Sequence, residues 1–161
     1  MKEIFESLPK TTKHQLVLLD TCFLIDTFAK HNEEQLTALC EEHDVAITSF
    51  NVEELVHVLP KVKPTDVKNH IRSYFKKKPK ISVLEISVSP GNADMEKAYV
   101  AKVDPFLAQD IPDPSDAVLI AAAIETQSIV LTKDKHHLFT ALLENYMQRW
   151  GLRVLKDMHE L

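Results

Sequence analysis

The chain has 161 residues, with 19 Lys and Arg against 24 Asp and Glu and a formal net charge of −5. That length fits one domain with one core, and 45% hydrophobic with 27% charged residues is an ordinary globular composition. Two glycines, Gly91 and Gly151, exclude a Gly-rich phosphate loop; two cysteines, Cys22 and Cys40, exclude a disulfide framework or a Cys-rich zinc site; and no apolar run approaches the roughly 18 residues of a membrane span.

In chain order, residues 1–15 lack the apolar stretch of a secretory signal, and 1–13 are expected to be frayed or to act as a lid. LVLL at 16–19 reads as a strand buried on both faces. Asp20 can cap a helix over TCFLIDTFAK. A second helix fits EEQLTALCEEH, with Leu36, Leu39 and Cys40 on one side. VAIT at 45–48 is a short strand, and Ser49 can cap the helix FNVEELVHVL, whose apolar stripe is Val52, Leu55, Val56 and Leu59. Pro60 and Pro64 end that helix and open another over 65–78. ISVLEISVS at 81–89 reads as a strand, 92–103 as a helix, and the proline-rich 104–116 as a turn-rich connection. Pro114 can open the helix DPSDAVLIAAAIET, which is apolar nearly all round and so deeply buried. SIVLT at 128–132 is a strand, 136–148 a helix that Gly151 terminates, and LRVL at 152–155 a last strand. Short apolar strands separated by helices indicate a three-layer α/β domain spanning 1–161, with its core over about 15–156. Its sheet is expected to be mostly parallel, with about five strands covered on both faces.

The charge is uneven. Residues 61–80 contain Lys61, Lys63, Lys68, Arg72, Lys76, Lys77, Lys78 and Lys80 against Asp66 alone, a net +7 within an acidic chain. A block of one sign can mark a surface for a charged partner, or only a solvated helix face.

In open α/β sheets, ligands bind beyond the carboxyl ends of the strands. Asp20 follows the first strand, Thr48 and Ser49 end the second, and Glu53 and Glu54 lie one turn further on. Thr132 ends SIVLT, Asp134 comes two residues later, and Asp116 sits in the first turn of the buried helix. Any one of these acids could be only a cap or a solvated position, Asp113 and Asp116 around Pro114 especially. Capping gives no reason for four acids to gather at one rim. Carboxylates a few ångströms apart repel unless protons or a cation compensate. Oxygen-only ligands favour hard cations such as Mg²⁺ or Mn²⁺, which can activate water and offset charge in phosphodiester cleavage.

The segments LVLLDTCFLID at 16–26, ITSFNVEEL at 47–55, PDPSDAVLIAAAI at 112–124 and IVLTKD at 129–134 resemble, in order and spacing, the PIN-domain family of metal-dependent nucleases. The resemblance implies Asp20, Glu54, Asp116 and Asp134 as the metal-binding acids, with Ser49 and Thr132 as hydroxyls positioning a carboxylate, a water or a phosphate. Glu53 and Asp113 are possible additional acids. It implies an endoribonuclease acting on single-stranded or structured RNA. It also allows a toxin-like role with a small antitoxin partner, and a homodimer, to which the 136–148 helix could contribute. The cationic 61–80 segment would then hold the RNA backbone. A reduced, cytoplasmic protein fits the cysteine usage.

Two other readings compete. Hydrolysis through an aspartyl intermediate would use Asp20, but Cys22 stands where that chemistry wants a second aspartate. A non-catalytic RNA- or protein-binding adaptor would use the lysine-rich segment equally well. His136 and His137 point about 100° apart on a helix and bind one metal poorly; the other six histidines are dispersed along the chain.

Overall fold

The computed structural model describes residues 1–133 and 148–161. Six strands, β1 (Lys10–Thr11), β2 (Val17–Leu19), β3 (Val45–Thr48), β4 (Ile81–Leu84), β5 (Ile129–Leu131) and β6 (Val154–Leu155), form one sheet in the order β1-β4-β3-β2-β5-β6. Every neighbouring pair is parallel. The sheet therefore has one strand more than the sequence pattern indicates. The addition is β1, which runs beside β4 with Lys10 opposite Val83.

Each central strand buries both faces. On β2, Leu18 joins an apolar cluster with α6 (Ala93–Val103), α7 (Leu107–Asp110) and α8 (Pro114–Thr126). Its neighbours Val17 and Leu19 join a second cluster on the opposite face. That cluster takes in α1 (Lys2–Glu6), α2 (Thr21–Ala29), α3 (Glu33–Glu42), α4 (Ser49–Val58) and α5 (Thr65–Lys76). Successive strand residues point to opposite sides, so a continuous apolar run must be covered twice. The three-layer α/β arrangement follows. α8 is buried at every position from Ala117 to Ile124 and packs against α6, where its alanines permit close approach.

Several boundaries differ from the sequence expectations. The frayed or lid-like reading of residues 1–13 is wrong: Phe5 is fully buried and its ring lies 4.8 Å from that of Phe75 on α5. Leu8 is buried as well. The strand expected over 81–89 stops at Leu84, because the Ile86 N–H donates to Ser49 Oγ at 3.0 Å instead of to a strand. The connection 104–116 contains one helical turn, α7. Ser49 is not the cap of α4: the Thr48 hydroxyl is, accepting from the Asn51 N–H at 3.0 Å. The helix expected over 136–148 falls almost wholly outside the described residues.

Topology selects one point at the carboxyl rim. From β2 the chain moves outward to β3 and then β4, and it returns through α8 to β5 on the other side of β2. Connections from β2 and β5 thus diverge, which opens a crevice at their carboxyl ends. Asp20 and Thr132 are the residues that follow those two strands.

Docking of the N-terminal segment is testable. Phe5→Ala should lower unfolding stability by about 3 kcal/mol in urea titrations, the cost of deleting a buried phenyl ring. A frayed segment would give less than about 0.5 kcal/mol.

Candidate active site

The Asp20 carboxylate is fixed by four donors. Oδ1 accepts from the Thr21 N–H at 2.8 Å and from Asn51 Nδ2 at 3.3 Å; Oδ2 accepts from Thr132 Oγ1 at 2.6 Å and from the Cys22 thiol at 3.2 Å. Burial and the neighbouring Asp20 push the Cys22 thiol up to about 12, so it stays protonated and remains a donor. All four of these described donors are neutral.

Glu54 faces the same point from α4. Its Oε1 accepts from Asn51 Nδ2 at 3.0 Å and from Thr21 Oγ1 at 3.4 Å. Asn51 lies one turn before Glu54, so both occupy one helix face. Its own orientation is set by Thr48, whose hydroxyl donates to Asn51 Oδ1 at 2.6 Å. Asn51 is almost fully buried. One amide therefore spans the two acids, donating to both, while the end of β3 locks it in place.

Asp116, in the first turn of α8, completes an open cleft of about 340 Å³ with Asp20, Thr21, Cys22, Ile25, Asn51, Glu54, Val58, Ser115 and Leu119. Among these described lining residues none is cationic. Lys133 is next to Thr132 in sequence, but its ammonium lies 2.7 Å from Asp157 and 3.9 Å from Asp26. Burial, and then the charges of Asp20 and Asp116, raise Glu54 from 4.5 to about 7. Among its described lining residues the cleft is thus oxygen-rich and holds three carboxylates without a cation. This donor set fits a hard divalent cation. The cleft carboxylates do not form a tight trio: the described His, Cys, Asp and Glu ligand atoms that do lie within 4.8 Å of one another belong to His31, Glu33 and His70. The wider spacing suits an ion that keeps part of its water shell.

The structure therefore brings Asp20, Glu54 and Asp116 to one cleft, with Thr132 buried behind Asp20 and bonded to it. Asp134 lies outside the described residues. Ser49 does not reach the cleft. As the first residue of α4 it turns away from it, and its hydroxyl serves the Ile86 peptide, accepting from N–H at 3.0 Å and donating to C=O at 3.4 Å. Glu53, adjacent to Glu54 and so rotated about 100° from it, is exposed and accepts from Ser89 Oγ at 3.3 Å. Asp113 is the exposed N-cap of α8, accepting from the Ser115 N–H at 3.0 Å and its hydroxyl at 2.8 Å. Sequence reasoning missed Asn51, Thr21 and Cys22. The i, i+3 relation of Asn51 to Glu54 was the available signal for the first.

The cationic segment comes directly after α4 in the chain. Val58 lines the cleft, and a 3₁₀ turn, Leu59–Lys61, leads directly to Lys63. Lys68, Arg72 and Lys76 lie on α5, whose Val67, Ile71 and Phe75 face the core; Lys77, Lys78 and Lys80 follow it. Lys80 pairs with Glu41 at 2.7 Å, and Lys61 Nζ lies 3.4 Å from His57 Nε2.

A family model described as "PIN domain" matches residues 17–141. No curated protein sequence matches the chain. Among solved structures, VapBC2 from Rickettsia felis bound to a DNA fragment from their promoter is similar in fold, with a TM-score of 0.57 and 17% sequence identity. That match covers 88% of this chain and 98% of the other. The family match spans well over half the sequence and runs from β2 past β5, through every residue of the cleft, and the chain accordingly belongs to the PIN-domain family.

Proposed function

We propose that the protein is a Mg²⁺- or Mn²⁺-dependent endoribonuclease whose cleft hydrolyses RNA phosphodiesters. The observation that carries the reading is the gathering of Asp20, Glu54 and Asp116 in a cleft whose described lining contains no cation, with Glu54 raised to about 7 by burial first and then by the neighbouring acids. Asp20, Glu54 and Asp116 would hold the ion directly or through water, with Asp134 as a fourth acid. The ion, when bound, supplies a Lewis acid that acidifies water and offsets the charge developing on a phosphodiester. Asn51 holds the Asp20 and Glu54 carboxylates in a fixed relation. Thr132 and Cys22 orient the second Asp20 oxygen. The segment from Lys61 to Lys80 would bind the RNA backbone, single-stranded or structured, so binding should weaken as salt rises.

A small antitoxin protein and a second copy of the chain are the partners we propose, the former supported by the fold likeness to VapBC2. Growth arrest on expressing the chain alone, relieved by a small protein encoded beside it, is the expected behaviour. Unimpaired growth would remove the toxin reading. The two free thiols accord with a cytoplasmic location.

Three outcomes test the catalytic reading. Asp20→Asn should reduce metal-dependent cleavage of single-stranded RNA at least about 100-fold and remove the thermal stabilisation that millimolar Mn²⁺ gives the wild type. Equal activity in the two proteins would sink it. A wild type that neither cleaves RNA nor responds to Mn²⁺ would favour the non-catalytic adaptor.

Asn51→Ala and Thr132→Val leave the acids in place but remove their positioning. Each should cost about 10–100-fold in activity or metal affinity, measured by cleavage rate against Mn²⁺ concentration.

The pH dependence has a definite sign. The folded-state pKa of Glu54 is raised above its ordinary 4.5 to about 7, so the folded protein binds the proton more tightly than the unfolded chain. The resulting stabilisation is fully present below about pH 4.5 and is lost as pH rises through about 7. Glu54→Gln cannot ionise. In chelator it should match the wild type near pH 4.5 and exceed it by about 1–2 kcal/mol at pH 8 in urea titrations, a figure reduced for partial exposure.

A further inference from the structure

Two histidines that are far apart in sequence meet on the surface away from the cleft. His31 follows the C-cap of α2 with a left-handed backbone, φ 56°. Glu33 is the first residue of α3, and His70 lies in the middle of α5. The ligating atoms of these three side chains all lie within 4.8 Å of one another. The imidazole rings stand edge to face, with centroids 5.3 Å apart. His70 Nδ1 is buried and has no hydrogen-bond partner among the described residues. It points at Glu33 Oε1 across 3.9 Å, too far for a hydrogen bond.

We propose that His31, Glu33 and His70 form a second metal site, one that takes a borderline transition-metal cation of the Zn²⁺ class. Two imidazole nitrogens and a carboxylate oxygen are a donor set for zinc, whereas Mg²⁺ and Mn²⁺ prefer oxygen alone. Ligands of a tetrahedral zinc lie about 3.4 Å apart, given bonds of about 2.0–2.2 Å. The trio is therefore open by roughly an ångström, within the reach of side-chain rotation. An ion there would give His70 Nδ1 the partner it lacks. Three protein ligands leave the fourth position to water.

The site shares no ligand with the cleft. Asp20 caps the N-terminal end of α2 and His31 lies past its C-terminal end. α2 has nine residues, so its ends are about 13 Å apart. The ion would clip α5, which carries Lys68, Arg72 and Lys76, to the turn between α2 and α3.

The test uses the full chain carrying Asp20→Asn, which removes one of the proposed cleft ligands, after chelation and dialysis, with Zn²⁺ alone as the probe. One Zn²⁺ should bind in equilibrium dialysis. At a hundredfold excess over the dissociation constant it should raise Tm by about 5–10 °C. Adding His31→Gln or His70→Gln should abolish both effects while leaving the metal-free Tm within about 2 °C. Replacement of Zn²⁺ by Co²⁺ should give the visible absorption of a four-coordinate ion in the parent and none in the histidine variants. Undiminished Zn²⁺ binding in those variants would overturn the proposal. If a variant unfolds, modification by diethylpyrocarbonate decides the matter in the Asp20→Asn protein. Zn²⁺ should protect His31 and His70, and equal modification with and without Zn²⁺ would overturn the site. None of these readouts depends on RNA cleavage, so failure here leaves the nuclease reading standing, and the converse holds.

Discussion

The Asp20 carboxylate ties together β2, α2, α4 and the end of β5. It follows β2, caps α2, takes the Thr132 hydroxyl from the end of β5 and receives the Asn51 amide from α4. Those donors can converge only because β2, β3 and β5 run parallel and end at one edge. Each of these described donors is neutral, and together they hold Asp20 tightly. The Asp20 charge raises Glu54, second only to the effect of burial. A fold that orders three acids in this way, and lines their cleft with no described cation, opposes its own ionisation. The arrangement is favourable at neutral pH to the extent that something positive enters it.

Much of this frame was legible in the sequence because strand ends and helix starts are local signals. The run LVLL before Asp20, and the Ala-rich helix behind Asp116, locate two acids without any contact being known. The adjacency of Glu53 and Glu54 was ambiguous in sequence, and the helix resolves it by turning one towards the cleft and the other towards Ser89. Ser49 was misplaced for a related reason. Thr48 and Ser49 are both competent caps, and what separates them is the Ile86 peptide, which comes from a segment about 37 residues away and occupies Ser49. The first residues failed differently. α1 has five residues and β1 two, too short for periodicity to register or for a helix to persist alone. They are ordered by tertiary burial of Phe5 and Leu8, which no local pattern announces. His31 and His70 are likewise 39 positions apart, and their meeting depends on how α5 lies against the α2–α3 turn.

The two candidate metal positions differ in the way their ligands are presented. In the cleft, Asp20 and Glu54 are pinned by Asn51, Thr21, Thr132 and Cys22, so these two ligands are organised before any ion arrives. At His31, Glu33 and His70 the donors come from the α2–α3 turn, α3 and α5, and His70 Nδ1 has no hydrogen-bond partner among the described residues. Preorganisation of the cleft suits chemistry, where ligand geometry must persist through a reaction. The looser trio suits a clip, whose binding energy goes into joining elements.

Aromatic packing connects these features. Phe28, near the end of α2, lies 5.2 Å from Tyr74 and 6.4 Å from Phe75 on α5, and Phe5 closes the cluster from α1. α2 is therefore anchored at both ends, by Asp20 at the cleft and by Phe28 against α5. The helix that bears Lys68, Arg72 and Lys76 is thereby tied to the helix that presents the first acid. A polyanion held on α5 would meet a cleft whose position is fixed by one short, buried strut. Lys68, Arg72 and Lys76 are thus carried by the helix that packs on the C-terminal part of α2, while Asp20 caps the N-terminal end of that same helix.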